Sequence, residues 1–293
     1  MSAPTPAAPA RSLVRDAVTT AGANPGARNA FQFYAIALGL ALCVRLLTPV
    51  LGHASLAATM ATPAIAAAIM LVFVAPEGGL RASLAGLGLT GFGLRGWPLA
   101  LLGPALIFAV GLACLAVLGL TTLAAPAVEG SGASVAVNLL AGFMAGTLFA
   151  LCEEIGWRGY MLPHMRGFGL VAAMLIVGFL HGLWHLPLLL TTDLYHAGGD
   201  PRIVAPLFLV TLTLAGVFYG YLRVTTGSIW PVAGAHAAVN VAWGISMEVS
   251  QTKSAPVLEY VGGESGLLMI CGLLAADTVL IKKLRAAARE AQA

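Results

Sequence analysis

The chain has 293 residues, of which 59% are hydrophobic and only 9% are charged, and its mean hydropathy is +0.91. Soluble domains carry roughly 25% charged residues, and no soluble fold of this size has an interior large enough to bury so much apolar surface. The composition therefore predicts a polytopic protein embedded in the lipid bilayer, and the net charge of +3 is too small to indicate a nucleic-acid partner.

The two ends of the chain differ from its middle. Residues 1–29 are rich in Ala and Pro and lack the apolar run of a signal peptide, so we predict a disordered cytoplasmic tail. Residues 30–285 read as a single transmembrane helical domain, and residues 286–293 as a short cytoplasmic C-terminal tail. All four cysteines fall in apolar runs, which indicates small buried side chains in reduced form.

Eight stretches are long and apolar enough to cross a bilayer as helices. They lie near residues 31–52, 56–76, 98–120, 136–157, 171–192, 204–222, 229–248 and 265–281. They predict an all-α fold, a polytopic transmembrane bundle of about eight helices. Glycine pairs four residues apart would let spans four, five and six pack closely, although several such pairs are expected by chance among 35 glycines. The pairs are Gly142/Gly146, Gly178/Gly182 and Gly216/Gly220.

Basic residues predict the orientation of these spans. With the N-terminus in the cytoplasm, the inner segments hold twelve Lys and Arg residues, whereas the outer loops hold only Arg202 and Lys253. This bias predicts that both termini are cytoplasmic. The alanine- and arginine-rich composition is typical of a high-GC bacterium, so we expect the bacterial inner membrane. Arg45, inside the first span, is expected to snorkel outward or to pair with Glu248.

The first polar motif inside an apolar stretch is "LCEEIGWRGY", residues 151–160. Glu154 and Arg158 are four residues apart with the acid first, which is the favourable order for an ion pair on one helix face. Glu153 points about 100° away from that face and is left without this partner. The pattern also fits a solvated salt bridge at a cytoplasmic helix end. Cys152 reads as a small packing residue rather than a nucleophile.

Two further motifs carry histidine. In "HGLWHLP", residues 181–187, His181 and His185 share one face of span five, and in "GAHAAVN", residues 234–240, His236 and Asn240 share one face of span seven. Each alone fits a buried, hydrogen-bonded packing role. His53, His164 and His196 lie in or near loops and are expected to be solvated.

Convergence of the three motifs would change their meaning, because membrane proteins rarely carry ionisable groups in their spans without a function. The predicted depths in the membrane agree for Glu153 and His236, since each lies near the inner end of its span. His185 lies about fourteen residues from the start of span five, roughly 21 Å along the helix. We therefore expect span five to begin later, with residues 160–173 lying along the membrane interface.

The ordered set of motifs resembles the CAAX-processing and bacteriocin-processing (CPBP) intramembrane proteases, which include the Ras-converting type of CAAX prenyl endopeptidase. The resemblance covers roughly residues 98–248, which would form the protease core. In this family the second motif usually has Phe four residues before its histidine, and His181 occupies that position here. An altered pocket lining, an extra ligand and a proton relay are all open for His181. The site residues that the resemblance implies are Glu153, Glu154, Arg158, His185, His236 and Asn240.

The resemblance implies an endopeptidase that hydrolyses a peptide bond of a membrane-associated or lipidated peptide or protein. Glu153 would activate a water, and His185 would share that water and pass a proton to the leaving amine. His236 and Asn240 would donate hydrogen bonds to the oxyanion. Glu154 and Arg158 would hold the end of the active-site helix.

Two other functions remain open from the sequence. A proton-coupled transporter also places Glu and His inside spans, but the chain shows no paired inverted repeats. A catalytically silent, bacteriocin-immunity-type membrane protein of the same family would not need the intact set of motif residues.

No cofactor is firmly indicated, although the family is often called metalloprotease. Zinc bound by the motif histidines and Glu153 is one alternative. However, His181 and His185 are not in an HExxH arrangement, and Asn240 is a poor zinc ligand. The residues suit a metal-free, water-activating site at least as well.

Overall fold

The computed structural model describes residues 26–74, 79–125, 132–193, 196, 198–252, 254 and 256–292. Within these ranges the chain is all helix and connecting loop, apart from an isolated bridge between Leu123 and Ser250. The prediction of an all-α bundle is confirmed. Most of the predicted N-terminal tail, residues 1–25, lies outside the described residues.

Ten α-helices follow one another along the described residues. They are α1 (Gly26–Leu51), α2 (Ala54–Ile69), α3 (Leu80–Leu87), α4 (Trp97–Val117), α5 (Gly132–Glu154), α6 (Leu162–Met165), α7 (Leu170–Thr191), α8 (Pro201–Thr226), α9 (Trp230–Val249) and α10 (Leu267–Gln292). Wider π-helical turns cover Met70–Val74, Ile155–Met161 and Val257–Gly262, and 3₁₀ turns cover Leu94–Gly96 and Arg166–Phe168. The last four residues of the predicted N-terminal tail and most of the predicted C-terminal tail are helical.

Six of the eight predicted spans correspond to helical segments long and apolar enough to cross a membrane. They are Gly26–Leu51, Ala54–Val74, Leu94–Val117, Val135–Phe168, Leu170–Thr191 and Pro201–Thr226. The other two predicted spans are α9 and α10, which pack in the same bundle, α9 against α4 and α5 and α10 against α8. Polar side chains such as His236 and Asn240 in α9 and Lys282 in α10 make these two helices less apolar. The chain is an integral membrane protein.

The fourth span is longer than predicted, and its length brings Glu153 to the same depth as His185. After α5 the helix continues through its π-helical turn, α6 and the 3₁₀ turn to Phe168, so this span is 34 residues long. Gly169, with φ of 89°, then reverses the chain directly into α7. Helix α7 begins at Leu170, so the expectation that span five begins later is wrong. Glu153 and His185 each lie sixteen residues from Gly169, which places them at matching depth on the two arms of a helical hairpin.

Helices α7 and α8 cross at direct backbone contact, as the glycine spacing predicted for spans five and six. A Cβ on Gly178 would lie 2.4 Å from the carbonyl oxygen of Leu212 and 3.0 Å from Cα of Gly216. Gly142, by contrast, has nothing within 4 Å of such a Cβ, so span four uses no comparable contact there. The α7–α8 crossing fixes the position of the face of α7 that carries the motif histidines.

Arg45 joins the first span to the outer end of α7. Its guanidinium donates hydrogen bonds to the hydroxyl and, at 2.7 Å, to the carbonyl oxygen of Thr191, the last residue of that helix. The expected pairing with Glu248 is therefore wrong. A cation at a helix C-terminus satisfies an otherwise unpaired carbonyl and complements the helix dipole.

Candidate active site

The candidate site is built around the point where α5 widens into its π-helical turn. Glu153 and Glu154 are the last two residues of α5, and Ile155–Met161 follow as the π-helical segment. Such widened turns occur frequently at functional sites. Gly156 lets α2 approach directly, since a Cβ there would lie 2.5 Å from Cβ of Pro63. The two carboxylates are thus held in a packed interior, with exposed fractions of 1% and 0%.

Glu154 forms the predicted ion pair with Arg158. Nη1 of Arg158 donates to both carboxylate oxygens of Glu154 at 3.0 Å, and both residues are completely buried. The face of the same guanidinium lies 4.9 Å from the ring centroid of Tyr219. A solvated salt bridge at a helix end is therefore excluded. Nε and Nη2 of Arg158 have no hydrogen-bond partner among the described residues.

His236 is the second partner of Glu154. Its Nδ1 lies 3.0 Å from Oε1 of Glu154, and its ring stacks on Tyr219 with centroids 5.8 Å apart. An ionised carboxylate can only accept, so Nδ1 of His236 carries the proton in this contact. The remaining ring nitrogen, Nε2, then donates a hydrogen bond only when the imidazole carries a second proton.

His181 is the partner of Glu153, and the motif reasoning did not include it among the site residues. Its Nε2 lies 2.8 Å from Oε2 of Glu153, and its Nδ1 lies 3.1 Å from Nη1 of Arg158. Arginine can only donate, so Nδ1 accepts and Nε2 carries the proton that is donated to Glu153. The buried His181 thus connects Glu153 to the guanidinium that binds Glu154 directly. The signal available in the sequence was its position four residues before His185.

His185 approaches the same carboxylate less closely. Its Nε2 lies 3.7 Å from Oε2 of Glu153, beyond a direct hydrogen bond, and its ring centroid lies 5.1 Å from that of His181. Asn240, one turn beyond His236 on α9, lines the same space. The structure therefore gathers all six predicted site residues, and His181 with them, at one place in the bundle.

A cavity of about 290 Å³ opens on this cluster. Four of the predicted site residues line it, together with apolar side chains from α2, α7 and α9 and with Glu264 from the loop before α10. The lining residues from the motifs are Glu153, His185, His236 and Asn240. Glu264 is a third carboxylate at this site, and no motif in the sequence pointed to it.

Zinc fits this donor set poorly. Glu153, His181 and His185 offer ligand atoms that lie within 4.8 Å of one another, which is compact enough for a metal ion. To coordinate through Nε2, however, His181 would need its proton on Nδ1. That proton would then face the donating Nη1 of Arg158 at 3.1 Å. Two donors would oppose each other in a fully buried place, so Arg158 disfavours His181 as a ligand, and the metalloprotease-like expectation is not supported.

The loop before α10 holds a second polar cluster. His196, expected to be solvated, instead has a side chain only 4% exposed, with Nδ1 2.7 Å from Glu259 and Nε2 3.4 Å from Glu264. Burial alone would lower the pKa of His196, but the hydrogen bonds and charges of the two carboxylates outweigh it and raise the pKa to about 9. His196 is therefore an imidazolium at neutral pH.

Comparison with known proteins supports the family resemblance. Residues 134–242 match the model of the family described as type II CAAX prenyl endopeptidase Rce1-like. The matched segment contains every predicted site residue as well as His181, and it ends before Glu259 and Glu264. No curated protein matches the chain. The resemblance to CAAX-type proteases, a protease family, is confirmed over these residues.

Proposed function

We propose that this chain is an intramembrane endopeptidase that hydrolyses a peptide bond of a membrane-associated or lipidated peptide or protein. The observation that carries the proposal is the convergence of Glu153, His185, His236 and Asn240 on one cavity within a bundle of membrane-spanning helices. Ionisable groups are costly at that depth and are most readily explained by chemistry that uses them.

Glu153 is the proposed base. His181 donates to its Oε2 at 2.8 Å and so fixes the orientation of the carboxylate. Oε2 of Glu153 and Nε2 of His185 are 3.7 Å apart, a separation at which one water can contact both atoms. Glu153 would take a proton from that water as its oxygen attacks the scissile carbonyl carbon. His185 would orient the water, receive that proton from Glu153 and deliver it to the amine nitrogen as the C–N bond breaks, which leaves Glu153 ionised again.

The face of α9 supplies the proposed oxyanion donors. The side-chain amide of Asn240 can donate directly to the developing charge. His236 can donate from Nε2 only as an imidazolium, and the Glu154 carboxylate at 3.0 Å from Nδ1 supplies the balancing charge. Glu154 and Arg158 thus act on the chemistry through His236 and His181, as positioning residues.

Cleavage of a peptide by purified protein in liposomes tests this proposal. Glu153→Gln and His185→Ala are expected to abolish cleavage while the protein still folds and inserts. Asn240→Ala is expected to lose roughly 100- to 1,000-fold in turnover, the usual effect of removing one oxyanion donor. Glu248→Gln removes an exposed carboxylate from the same helix as His236 and Asn240 and is the matched control. Wild-type cleavage by Glu153→Gln, or proton-coupled uptake without any cleavage, would contradict the proposal.

We also propose the location that the sequence predicts, the bacterial inner membrane with both termini in the cytoplasm. The argument is the excess of Lys and Arg on the inner segments. A reporter fused after Ala293 should be active in the cytoplasm, and activity only in the periplasm would contradict this orientation.

A further inference from the structure

A second, smaller cavity lies beside the proposed catalytic centre. The two cavities share four lining residues, which are His185, His236, Asn240 and Glu264. Most of the remaining wall of the smaller cavity is apolar and comes from α4, α8 and α10, with Ile107, Phe218 and Met269 among its residues. A substrate group that enters this space would therefore lie next to the peptide bond that is cleaved.

Two hydroxyl groups in this wall have no partner in the described part of the chain. Thr211 and Ser265 are 5% and 1% exposed, and neither Oγ1 of Thr211 nor Oγ of Ser265 has a hydrogen bond among the described residues. A buried hydroxyl without a partner costs about 1–3 kcal/mol. Both hydroxyls line the smaller cavity, so an occupant with hydrogen-bonding groups would satisfy them.

Glu264 is held beside these hydroxyls by a tightly folded segment, "GGESG", residues 262–266. A Cβ on Gly263 would lie 2.4 Å from the carbonyl oxygen of Leu258, and one on Gly266 would lie 2.6 Å from that of Val261. His196 contacts the carboxylate at 3.4 Å from a neighbouring loop. A carboxylate has about four acceptor positions, so Glu264 can stay bound to His196 and still accept from an occupant.

From this arrangement we propose that the smaller cavity is a substrate subsite for a lysine side chain close to the scissile bond. The apolar walls suit the four-carbon stem of lysine. Its ammonium has three donors, and the acceptors in the cavity wall include the Glu264 carboxylate and the hydroxyls of Thr211 and Ser265. The role of this cavity as a substrate subsite rests on the proposed endopeptidase function, whereas the binding of lysine in it does not.

Other occupants match the walls less well. A substrate carboxylate would face Glu264 with the same sign of charge. An aliphatic side chain would leave both hydroxyls of Thr211 and Ser265 without partners among the described residues and would offer no donor to the Glu264 carboxylate. An arginine side chain brings five donors in a rigid planar fork, whereas the compact ammonium of lysine can turn its three donors toward Glu264 and the two hydroxyls.

Binding of designed peptides tests the subsite independently of cleavage. The protein is the Glu153→Gln variant in nanodiscs, so that no peptide is consumed. The probes are otherwise identical Ala/Leu peptides that carry lysine, N-acetyllysine or norleucine at one position, moved stepwise along the peptide. At one position or two adjacent positions, lysine is expected to bind about 10- to 100-fold more tightly than either neutral analogue, as for a hydrogen-bonded charge.

Substitutions then assign the preference to this cavity. Adding Glu264→Gln should remove the lysine preference, and adding Ser265→Ala or Thr211→Val should reduce it several-fold. Glu259→Gln is the matched control, because Glu259 contacts the same His196 but does not line either cavity. It should keep the preference. No preferred position in the peptide, or a preference that survives Glu264→Gln, would overturn the inference.

Cleavage of the same peptides by the protein with Glu153 intact separates the two proposals. Preferential cleavage of the lysine peptide, lost in Glu264→Gln, would support both. Lysine-selective binding without cleavage of any peptide would support the subsite and contradict the endopeptidase function. Cleavage without any lysine preference would support the endopeptidase function and overturn the subsite.

Discussion

Replacement of Arg158 by leucine should destabilise the protein more than replacement of Arg158 and Glu154 together. Both side chains are completely buried, and Nη1 of Arg158 contacts both oxygens of Glu154 at 3.0 Å. Breaking a buried ion pair from one side costs about 3–5 kcal/mol, because the remaining charge stays buried without compensation. In Arg158→Leu, the hydrogen bond left to Glu154 among the described residues would be the one from His236.

The double variant Glu154→Gln/Arg158→Leu removes both charges. A neutral amide oxygen at position 154 still accepts from His236. Because Nε and Nη2 of Arg158 have no partner among the described residues, the wild-type pair is itself incompletely compensated. We therefore expect the double variant to recover at least about 2 kcal/mol of the free energy of unfolding that Arg158→Leu loses.

Denaturation in mixed micelles, followed by tryptophan fluorescence, measures these differences. The buried indoles of Trp157 and Trp184 lie in contact near the site, with ring centroids 5.6 Å apart, and should report its opening. Arg202→Leu is the control, because the side chain of Arg202 is 91% exposed and its ion pair with Asp200 should show no measurable coupling. A double variant no more stable than Arg158→Leu would refute the reasoning.

Three further predictions concern the histidines. The pKa of His196 is raised to about 9 in the folded protein, against about 6.5 in the unfolded chain. The stabilisation from this histidine is therefore complete below about pH 6.5 and is lost as the pH rises through 9. The free energy of unfolding should fall over that range, and His196→Gln should make the fall smaller. A zinc chelator should leave cleavage unchanged, because Arg158 opposes metal ligation by His181. This prediction would be contradicted by purified protein that contains stoichiometric zinc, loses activity on chelation and regains activity when zinc is added. The His181→Phe variant should fold, since the ring at position 181 stacks on Trp157 with centroids 4.9 Å apart. Its kcat should fall about 10- to 100-fold, because Glu153 loses the hydrogen-bond donor that orients it. An unchanged kcat would contradict the positioning role of His181.

The sequence was sufficient for the bundle, and it named most of the residues that the structure gathers around the cavity. Apolar runs of membrane length are a direct consequence of the bilayer thickness, so the spans could be located from hydropathy alone. The pairing of Glu154 with Arg158 followed from helix geometry, because residues four apart share a face whatever the surroundings. Both inferences depend on local periodicity, which the sequence displays.

The depth of the site was not predictable in the same way. The Gly and Pro residues after Tyr160 suggested that the helix ends there, but the chain instead widens into a π-helical turn and continues to Phe168. This continuation is stabilised by packing, since Gly156 admits Pro63 and Trp157 is completely buried. Tertiary contacts of this kind override local breaking signals, and a single sequence does not reveal them.

Contacts between segments far apart in the sequence were the second feature that could not be predicted. Glu264 reaches the site from the loop before α10, more than a hundred residues after Glu153, in a segment with no recognisable motif. His196 was assigned to solvent because loops usually are solvated, but two acidic residues from that same distant loop enclose it. The packing of α10 and of the π-helical segment Val257–Gly262 against α8 brings these residues together.

The adjacent glutamates can be understood from the three groups that bind them. Since neighbouring residues on a helix diverge by about 100°, Glu153 faces α7 and meets His181, whereas Glu154 faces α9 and meets His236. Arg158 contacts Glu154 and His181 at the same time, so one guanidinium compensates one carboxylate and sets the proton position on the histidine that orients the other. Any group that replaced Arg158 without both donating functions would free His181 to present its other tautomer, whose Nε2 lone pair would oppose the Glu153 carboxylate. The EExxxR motif is therefore one electrostatic unit, in which Glu154 and Arg158 make it possible to keep an ionised Glu153 inside the membrane.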